Sequence, residues 1–453
     1  MRRSVRSAWI GYWLAAAVVA AGPLAADDWP QFRGGAAVGR AGSSDVPLDW
    51  APDKNLAWRT AIPGSGWSQP IVVGGRLYVT TAVTKSGGRP SGMMGGVMSL
   101  STWGMGSAPS EPVEFRVLRL DASDGRIAWS RSIADVKPKF GKHASNTFAT
   151  ETPCGDDSGV YAFFAAAGIL VALDHDGNER WRLDLGPQPI QNQFGTGSSP
   201  MLHAAKGGSR LFIQRYNEDE GKLICLDAAT GREIWSADGP KGTSWSTPFV
   251  WRNGGAEEVV TAGQGMIIAY AIEDGRERWR FGGIDTSFAC SPVADAEGLY
   301  FGTSSPGSRA PAAAIAAGCA GDLTLKKGET KSDRVLWSRV KCGAGMPSPV
   351  VVGDHLYFFD KIAVCFDKRT GEEKYRKRLP SGSTAVGSPL VVGDRIYLVN
   401  ERGRTVVVKT GDVFEVLAES SLGDSGEIFW ATPAVADGSL FIRSSDAVYC
   451  VRR

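Results

Sequence analysis

Histidine is scarce in this chain of 453 residues, with four in all, and no Gly-x-Ser-x-Gly segment occurs. Hydrolysis by an activated serine or an imidazole base therefore has little to build on. A charge excess is missing too, since 50 Lys and Arg stand against 48 Asp and Glu, a formal +2. That balance provides no global field for a nucleic acid. Beyond residue 21 there is no apolar run of the ~20 residues needed to span a bilayer. What the chain does have is glycine and proline, 57 and 24. They fall short of a low-complexity composition but demand a turn every few residues, which favours many short strands. A hydrophobic share of 43% is enough to fill several cores.

Residues 1–26 open with Met1-Arg2-Arg3-Ser4-Val5-Arg6, run apolar from Ala8 to Ala21 and end Gly22-Pro23-Leu24-Ala25-Ala26. A basic start, a short apolar stretch and a small-residue exit describe a cleaved export signal, too short for an anchor helix. Its loss takes the three cations Arg2, Arg3 and Arg6 from the +2 and leaves the mature chain near −1. The first cysteine is Cys154, so lipidation at the cleavage point is not expected. The mature chain is expected to be a periplasmic or secreted monomer, with residues 27–54 as an N-terminal extension. Seven cysteines are an odd number for an exported chain, which leaves at least one unpaired. Cys225, Cys365 and Cys450 hold matching positions in apolar strands and read as small core residues rather than a metal set. Cys319 and Cys342 flank an irregular stretch and form the best candidate disulfide.

A repeat organises the rest. Leu120-Asp121-Ala122-Ser123-Asp124-Gly125-Arg126-Ile127-Ala128-Trp129 returns as Leu226-Asp227-Ala228-Ala229-Thr230-Gly231-Arg232-Glu233-Ile234-Trp235. Shorter or looser copies run Asp174 to Trp181, Ile272 to Trp279 and Asp367 to Tyr375, with others ending at Trp337 and near Leu417. Each reads as a hairpin in which an apolar strand meets Asp, the chain turns at a Gly free to take positive φ, and an aromatic follows. The Asp serves the turn amides, and the Trp is large enough to cover the seam between neighbouring units.

Ahead of each hairpin stands a small residue and Pro, then an apolar strand, a turn and another strand. Gln69-Pro70, Thr152-Pro153, Ser199-Pro200, Thr247-Pro248, Ser291-Pro292, Ser348-Pro349, Ser388-Pro389 and Thr432-Pro433 mark the eight units. Four short strands in ~40 to 50 residues is the size of a propeller blade. The last unit lacks a Trp strand after Tyr449-Cys450-Val451, whereas Asn55-Leu56-Ala57-Trp58-Arg59 has that pattern and no hairpin before it. The two ends are therefore expected to share one blade and leave no open edge. The expected fold is all-β, an eight-bladed propeller over 55–453, with insertions at 86–112 and 304–321. The first insertion is rich in Gly, Met and Ser, and reads either as a mobile flap or as an adaptable apolar contact surface.

These hairpins and Ser/Thr-Pro leads resemble the pyrroloquinoline-quinone-type (PQQ-like) β-propeller repeat, as in quinoprotein alcohol dehydrogenases and the BamB lipoproteins. Asp28-Trp29-Pro30-Gln31-Phe32-Arg33-Gly34, Gly66-Trp67-Ser68-Gln69-Pro70, the segment His143 to Pro153, and Ser244-Trp245-Ser246-Thr247-Pro248 are similar to a subgroup of exported planctomycete-type members. The resemblance covers the whole mature chain and implies the fold more firmly than an activity. Its dehydrogenases hold the quinone under two adjacent cysteines with Ca²⁺ and a catalytic Asp, and many carry Cys-x-x-Cys-His for a haem. Neither cysteine motif is present. Asp156, Asp157, Asp174 and Asp176 fall in hairpin turns without an EF-hand spacing and read as turn acids, so no metal or catalytic residue is assigned.

The loops before each Pro are expected to line one mouth of a central funnel. Trp67, Ser68, His143, Asn146, Glu151, Gln191, Asn192, Phe194, Trp245, Phe288 and Trp430 are the binding candidates there, with Gln193 and Phe429 beside them. Aromatic floors with a few amides and a carboxylate suit a flat or sugar-like ligand or an extended peptide. Trp67, Trp245 and Trp430 could equally pack the funnel neck, and His143 and Glu151 could serve structural hydrogen bonds. The expectation is a non-catalytic exported scaffold for an envelope protein or polymer, with no cofactor. A dehydrogenase using PQQ and Ca²⁺ at a diverged site is the alternative.

Overall fold

In the computed structural model, which describes residues 28–42, 45–87, 89–92, 107–303, 311–342, 345–380, 385–423 and 426–453, each hairpin is fixed twice over. At Gly231 the backbone turns with φ +73°, a left-handed conformation that glycine adopts at little cost, while Oδ1 of Asp227 accepts the Thr230 amide at 2.9 Å. A Cβ at Gly231 would also stand 2.8 Å from the ring of Trp181 in the preceding repeat. The glycine thus clears space for its neighbour's indole, whose Nε1 donates to the Ala228 carbonyl at 3.0 Å. The same bond joins Trp58 to Ala122, Trp129 to His175, Trp235 to Ile272 and Trp337 to Lys368. Trp279 departs from the pattern and donates to Glu258 Oε2 at 2.8 Å in its own sheet, because the following repeat lacks the Asp-Gly hairpin. In the sixth repeat Tyr375 stands in this place and its hydroxyl has no partner.

The repeats build eight antiparallel sheets, two of which gain a short parallel fifth strand. The innermost strands are Ile71–Val73, Cys154–Asp156, Met201–Ala205, Phe249–Asn253, Val293–Ala294, Val350–Val352, Leu390–Val392 and Ala434–Ala436. Middle strands such as Gly159–Phe164 and Ile169–Leu173 are buried at nearly every position, since both of their faces meet neighbouring sheets. Outer strands such as Glu179–Asp184 alternate instead. Within a blade an aromatic of the second strand packs on the outer Trp, as in Tyr78 on Trp129 and Tyr161 on Trp181, at 5.9 and 6.0 Å between centroids. The ring closes where Leu56–Ala61 pairs antiparallel with Ala447–Val451, with Trp58 opposite Cys450 and Arg59 opposite Tyr449.

The Ser/Thr before each proline has a mechanical role. The amide of Gln69 donates to Thr152 Oγ1, that of Thr152 to Ser199 Oγ, and that of Ser199 to Thr247 Oγ1. Thr247 then donates to Ser291, Ser291 to Ser348, Ser348 to Ser388 and Ser388 to Thr432. Seven hydrogen bonds of 2.9–3.1 Å thus link blade to blade as an inner belt. The first blade carries Gln69 in place of the hydroxyl, and Nε2 of Gln69 reaches the Pro433 carbonyl at 2.6 Å, joining the first blade to the last.

Residues 28–42 and 45–50 run as a strap against the innermost strands and touch all eight blades. Trp29 bridges Val72, the Pro30 carbonyl accepts the Gly155 amide at 2.8 Å, and Gln31 Oε1 accepts the Leu202 amide at 2.9 Å. Ala37 joins the apolar cluster of Phe249 and Trp251. Arg33, 1% exposed, donates to the carbonyls of Pro292 and Pro349 at 3.3 and 2.5 Å. Arg40–Ala41 pairs parallel with the strand at Leu390, and Val46 packs with Val435 in one core. The bonds of Arg33 cross the axis, so this strap plugs the channel.

Two expectations change. Ala312–Ala316 is a regular strand inside the stretch expected to be an insertion at 304–321, and the irregular segment falls after it, ahead of Val335–Arg339. An alanine run carries little strand signal of its own, and pairing with Gly298–Gly302 imposes the strand. Cys319 and Cys342 form no disulfide: Cys319 belongs to the core of Trp279 and Phe281, and Cys342 to that of Trp337 and Phe358. The backbone near Cys319 is held elsewhere, its amide and carbonyl both bonded to the Asn253 side chain. Cys225, Cys365 and Cys450 are fully buried core residues. The export signal at 1–26 and the Met-rich centre of the first insertion, 93–106, lie outside the described residues.

Candidate functional site

Each innermost strand begins at or just after its proline, so the preceding loops gather at one end of the ring. There Trp67 and Trp430 stack at 5.7 Å, with Trp67 Nε1 donating to the Ser145 carbonyl at 3.0 Å. Phe194 meets His143 edge-on at 5.7 Å and Trp245 at 6.5 Å, and Trp245 Nε1 donates to the Gly195 carbonyl at 2.7 Å. Gln191 and Asn192 sit on a short 3₁₀ turn, where Asn192 and Gln193 both have φ +52°. Phe288 is not at the mouth. It is fully buried against Phe301, and only its carbonyl reaches outward, to the Trp245 amide at 2.9 Å.

Most polar groups of the mouth are committed to holding it together. His143 Nδ1 lies 2.7 Å from Ser145 Oγ. Asn146 donates from Nδ2 to the Phe194 carbonyl at 2.7 Å and accepts from Thr147 N and Thr150 Oγ1, so both ends of its amide are used. Ser68 is fully buried and accepts from Arg443 Nη1. Trp430 Nε1 lacks a partner, and Glu151 is the larger exception. It is 1% exposed, and neither carboxylate oxygen has a hydrogen-bond partner. Burial pushes its pKa up to about 7.

Sequence reasoning missed Arg443, Arg33 and Gln69. Arg443 is 1% exposed and donates to the carbonyls of Ser68 and Thr80 at 3.1 and 2.7 Å, with burial drawing its pKa down to about 9. The one available signal was Gln69 standing where the other units carry Ser or Thr.

Two clefts open at the rim. One, of about 490 Å³, is lined by Arg59, Arg89, Lys142, Thr147, Phe148 and Asp446. The other, a more open one of about 690 Å³, is lined by Lys139, Phe140, Gln191, Asn192, Gln193 and Glu218. The flanks of the first insertion lie over the mouth: Arg89 pairs with Asp446 at 2.5 Å, the Ser91 amide donates to the Ala144 carbonyl at 3.0 Å, and Ser107 bridges Lys142.

The residues present do not suit a quinone with Ca²⁺. Trp67 already lies against Trp430, and Glu151 stands without companion acids. Among the described residues no three His, Cys, Asp or Glu could hold a metal ion. Among them, too, no helix is long and apolar enough to cross a membrane.

Eight sheets, four of them turned by Asp-Gly-Trp hairpins, linked through the Ser/Thr-Pro leads around a channel filled by Arg33 and Gln69, define a β-propeller of the PQQ-repeat class. The chain belongs to the family described as outer membrane protein assembly factor BamB, whose model matches residues 48–192, 166–318 and 321–414. It is 22% identical over 237 residues to BamB of Burkholderia pseudomallei, covering 51% of this chain and 48% of that protein. It is 24% identical over 269 residues to a polyvinylalcohol dehydrogenase of a Pseudomonas species, covering 50% of this chain and 36% of the relative. A quinohemoprotein alcohol dehydrogenase of Pseudomonas putida is 29% identical over 177 residues, or 36% of this chain and 23% of its own length. The chain therefore spans less than half the length of these curated relatives. Among solved structures, BamB from Moraxella catarrhalis shares the fold with a TM-score of 0.51 at 17% identity, covering 77% of this chain and 90% of that one.

Proposed function

We infer that this chain is a non-catalytic binding and scaffolding module of the periplasm or the cell exterior, which takes a protein or envelope polymer at the loop-lined mouth of the ring. The supporting observation is the commitment of the mouth's polar groups to its own architecture. His143 Nδ1 is held within its own loop by the Ser145 hydroxyl and amide, both buried, and the Asn146 amide is spent on the Phe194 carbonyl of the next loop. Beside them two clefts remain open. A photoreactive residue at Asn192, exposed on the mouth, is expected to capture a reproducible partner from envelope extracts. The same probe at Val413, 76% exposed and away from the mouth, is expected to capture none. Equal capture at both positions, or none at either, counts against this reading.

A second reading is favoured by the dehydrogenase names among the relatives and by the unpartnered Glu151. It is a quinone-dependent dehydrogenase with a diverged site. Dye-linked oxidation of alcohols after addition of PQQ and Ca²⁺ would support it and displace the first.

A further inference from the structure

We propose that the lysine-bearing loop at 137–142, with the clefts on either side of it, binds an acidic oligosaccharide, a sugar chain carrying carboxylates. The inference rests on the binding-module reading and names the chemistry of what the mouth takes.

Lys137, Lys139 and Lys142 fall within six residues of a chain that is otherwise balanced in charge. Among the described residues none of them has an ion-pair partner. Lys142 carries the argument furthest. It is half-buried in the narrower cleft, its Nζ 5.5 Å from the centre of the Phe148 ring, and burial lowers its pKa with no acid opposing the effect. The other cations of that cleft are neutralised, Arg59 by Glu427 and Arg89 by Asp446, each at 2.5 Å. The unmatched charge of the cleft is therefore on Lys142. A desolvated cation without a counter-ion gains most from a carboxylate that arrives with its ligand.

On the far side of the loop Lys139 lies over the Phe140 ring at 5.1 Å, at the edge of the wider cleft. The amides of that cleft sit on an unusual backbone, with Asn192 and Gln193 both left-handed, a conformation Asn tolerates and Gln rarely takes. Two bonds hold the turn: Gln193 Oε1 accepts the Gly141 amide, and the Gln191 amide donates to Thr243 Oγ1, each at 2.8 Å. Strain kept at a mouth, presenting an exposed amide at Asn192, indicates a function for that amide. Amides and hydroxyls recognise sugar hydroxyls, and ring faces pack on sugar rings. An acidic peptide would instead use a free strand edge, and the lining of this cleft comes from loops and the 3₁₀ turn at Gln191–Gln193, with Ala108, Pro189 and Ile190 beside the Phe140 ring as a floor for a sugar ring.

The test is calorimetric titration of the full mature chain with a short oligogalacturonate, its methyl-esterified neutral counterpart, and an oligoglutamate of equal charge. The oligogalacturonate is expected to bind, the neutral sugar to bind at least about tenfold more weakly, and the double variant Lys139→Gln/Lys142→Gln to lose about tenfold in affinity. Asn192→Gly keeps the turn and removes the amide, and is expected to weaken the sugar several-fold with an unchanged melting temperature. Unchanged affinity in the lysine variant overturns the inference. So does oligoglutamate binding as tightly as the sugar, which would assign the loop to an acidic peptide. If either happens while the probe at Asn192 still captures a partner, the binding-module reading stands and only the sugar assignment falls.

Discussion

The backbone amide of Arg33 donates to Oε1 of Gln69 at 2.8 Å, across 36 residues of chain. The same Gln69 side chain donates to the Pro433 carbonyl, so one amide group ties the strap to the first blade and the first blade to the last. Gln69→Ala removes both bonds and leaves the buried Arg33 amide unpaired. A loss of about 2 to 4 kcal/mol is expected in urea unfolding, from one neutral bond and one orphaned donor. Gln69→Ser restores the belt's usual hydroxyl but is too short to reach both partners, and is expected to recover little of that loss.

The hairpin glycines separate two effects. Gly231 and Gly353 both have positive φ, +73° and +58°, but a Cβ at Gly231 meets the Trp181 ring at 2.8 Å, whereas one at Gly353 meets nothing within 4 Å. Gly353→Ala is expected to cost only the backbone term, about 1 kcal/mol. Gly231→Ala is expected to cost about 1 to 3 kcal/mol more, because the indole must shift. Comparison of the two in denaturant melts checks this, and equal costs would mean that the Trp yields freely.

Glu151 makes stability depend on pH. Its carboxyl titrates near 7 in the folded chain, above the ordinary 4.5. A folded-state value raised in this way gives a contribution fully present below pH 4.5 and lost as pH climbs through 7. The difference is worth about 3 kcal/mol. Glu151→Gln stays neutral throughout, so the gap between variant and native protein is expected to open by that order between pH 4.5 and 8. Parallel profiles would show that the carboxylate finds a partner when it ionises.

The seven cysteines are all buried and free, and burial pushes the Cys290 and Cys365 thiols up to about 12. Neutral thiols without solvent access react slowly. Iodoacetamide is expected to leave the native protein unlabelled and to modify all seven after denaturation without reductant. Two unreactive thiols under those conditions would reinstate a disulfide.

Much of this was legible in the chain because it is written locally. A glycine at a fixed offset from Asp, followed by Trp, is a steric pattern that survives without knowledge of the partner, and eight Pro-led units with a stray Trp strand at Trp58 led to the closed ring. The strap was not legible: Arg33 meets carbonyls 259 and 316 residues away, and nothing near Arg33 in sequence points to them. At the mouth the chain offered Trp67, Trp245 and Glu151 as candidates but did not tell that Trp67 stacks on Trp430, nor which polar groups were already occupied. His143 is instructive, since its partner Ser145 is only two residues on, a side-chain turn that could have been recognised. Phe288 failed because position before a proline does not decide whether a ring turns to the mouth or to the core.

The pairing of Leu56–Ala61 with Ala447–Val451 has a bearing on biogenesis. Seven blades can zip up as the polypeptide emerges, but the eighth waits for Ala447–Val451 to arrive and find a strand made some 390 residues earlier. Until then the molecule offers two raw β-edges to any passing chain. A product truncated a handful of residues early would stay permanently ajar, and quality-control proteases would meet it as such.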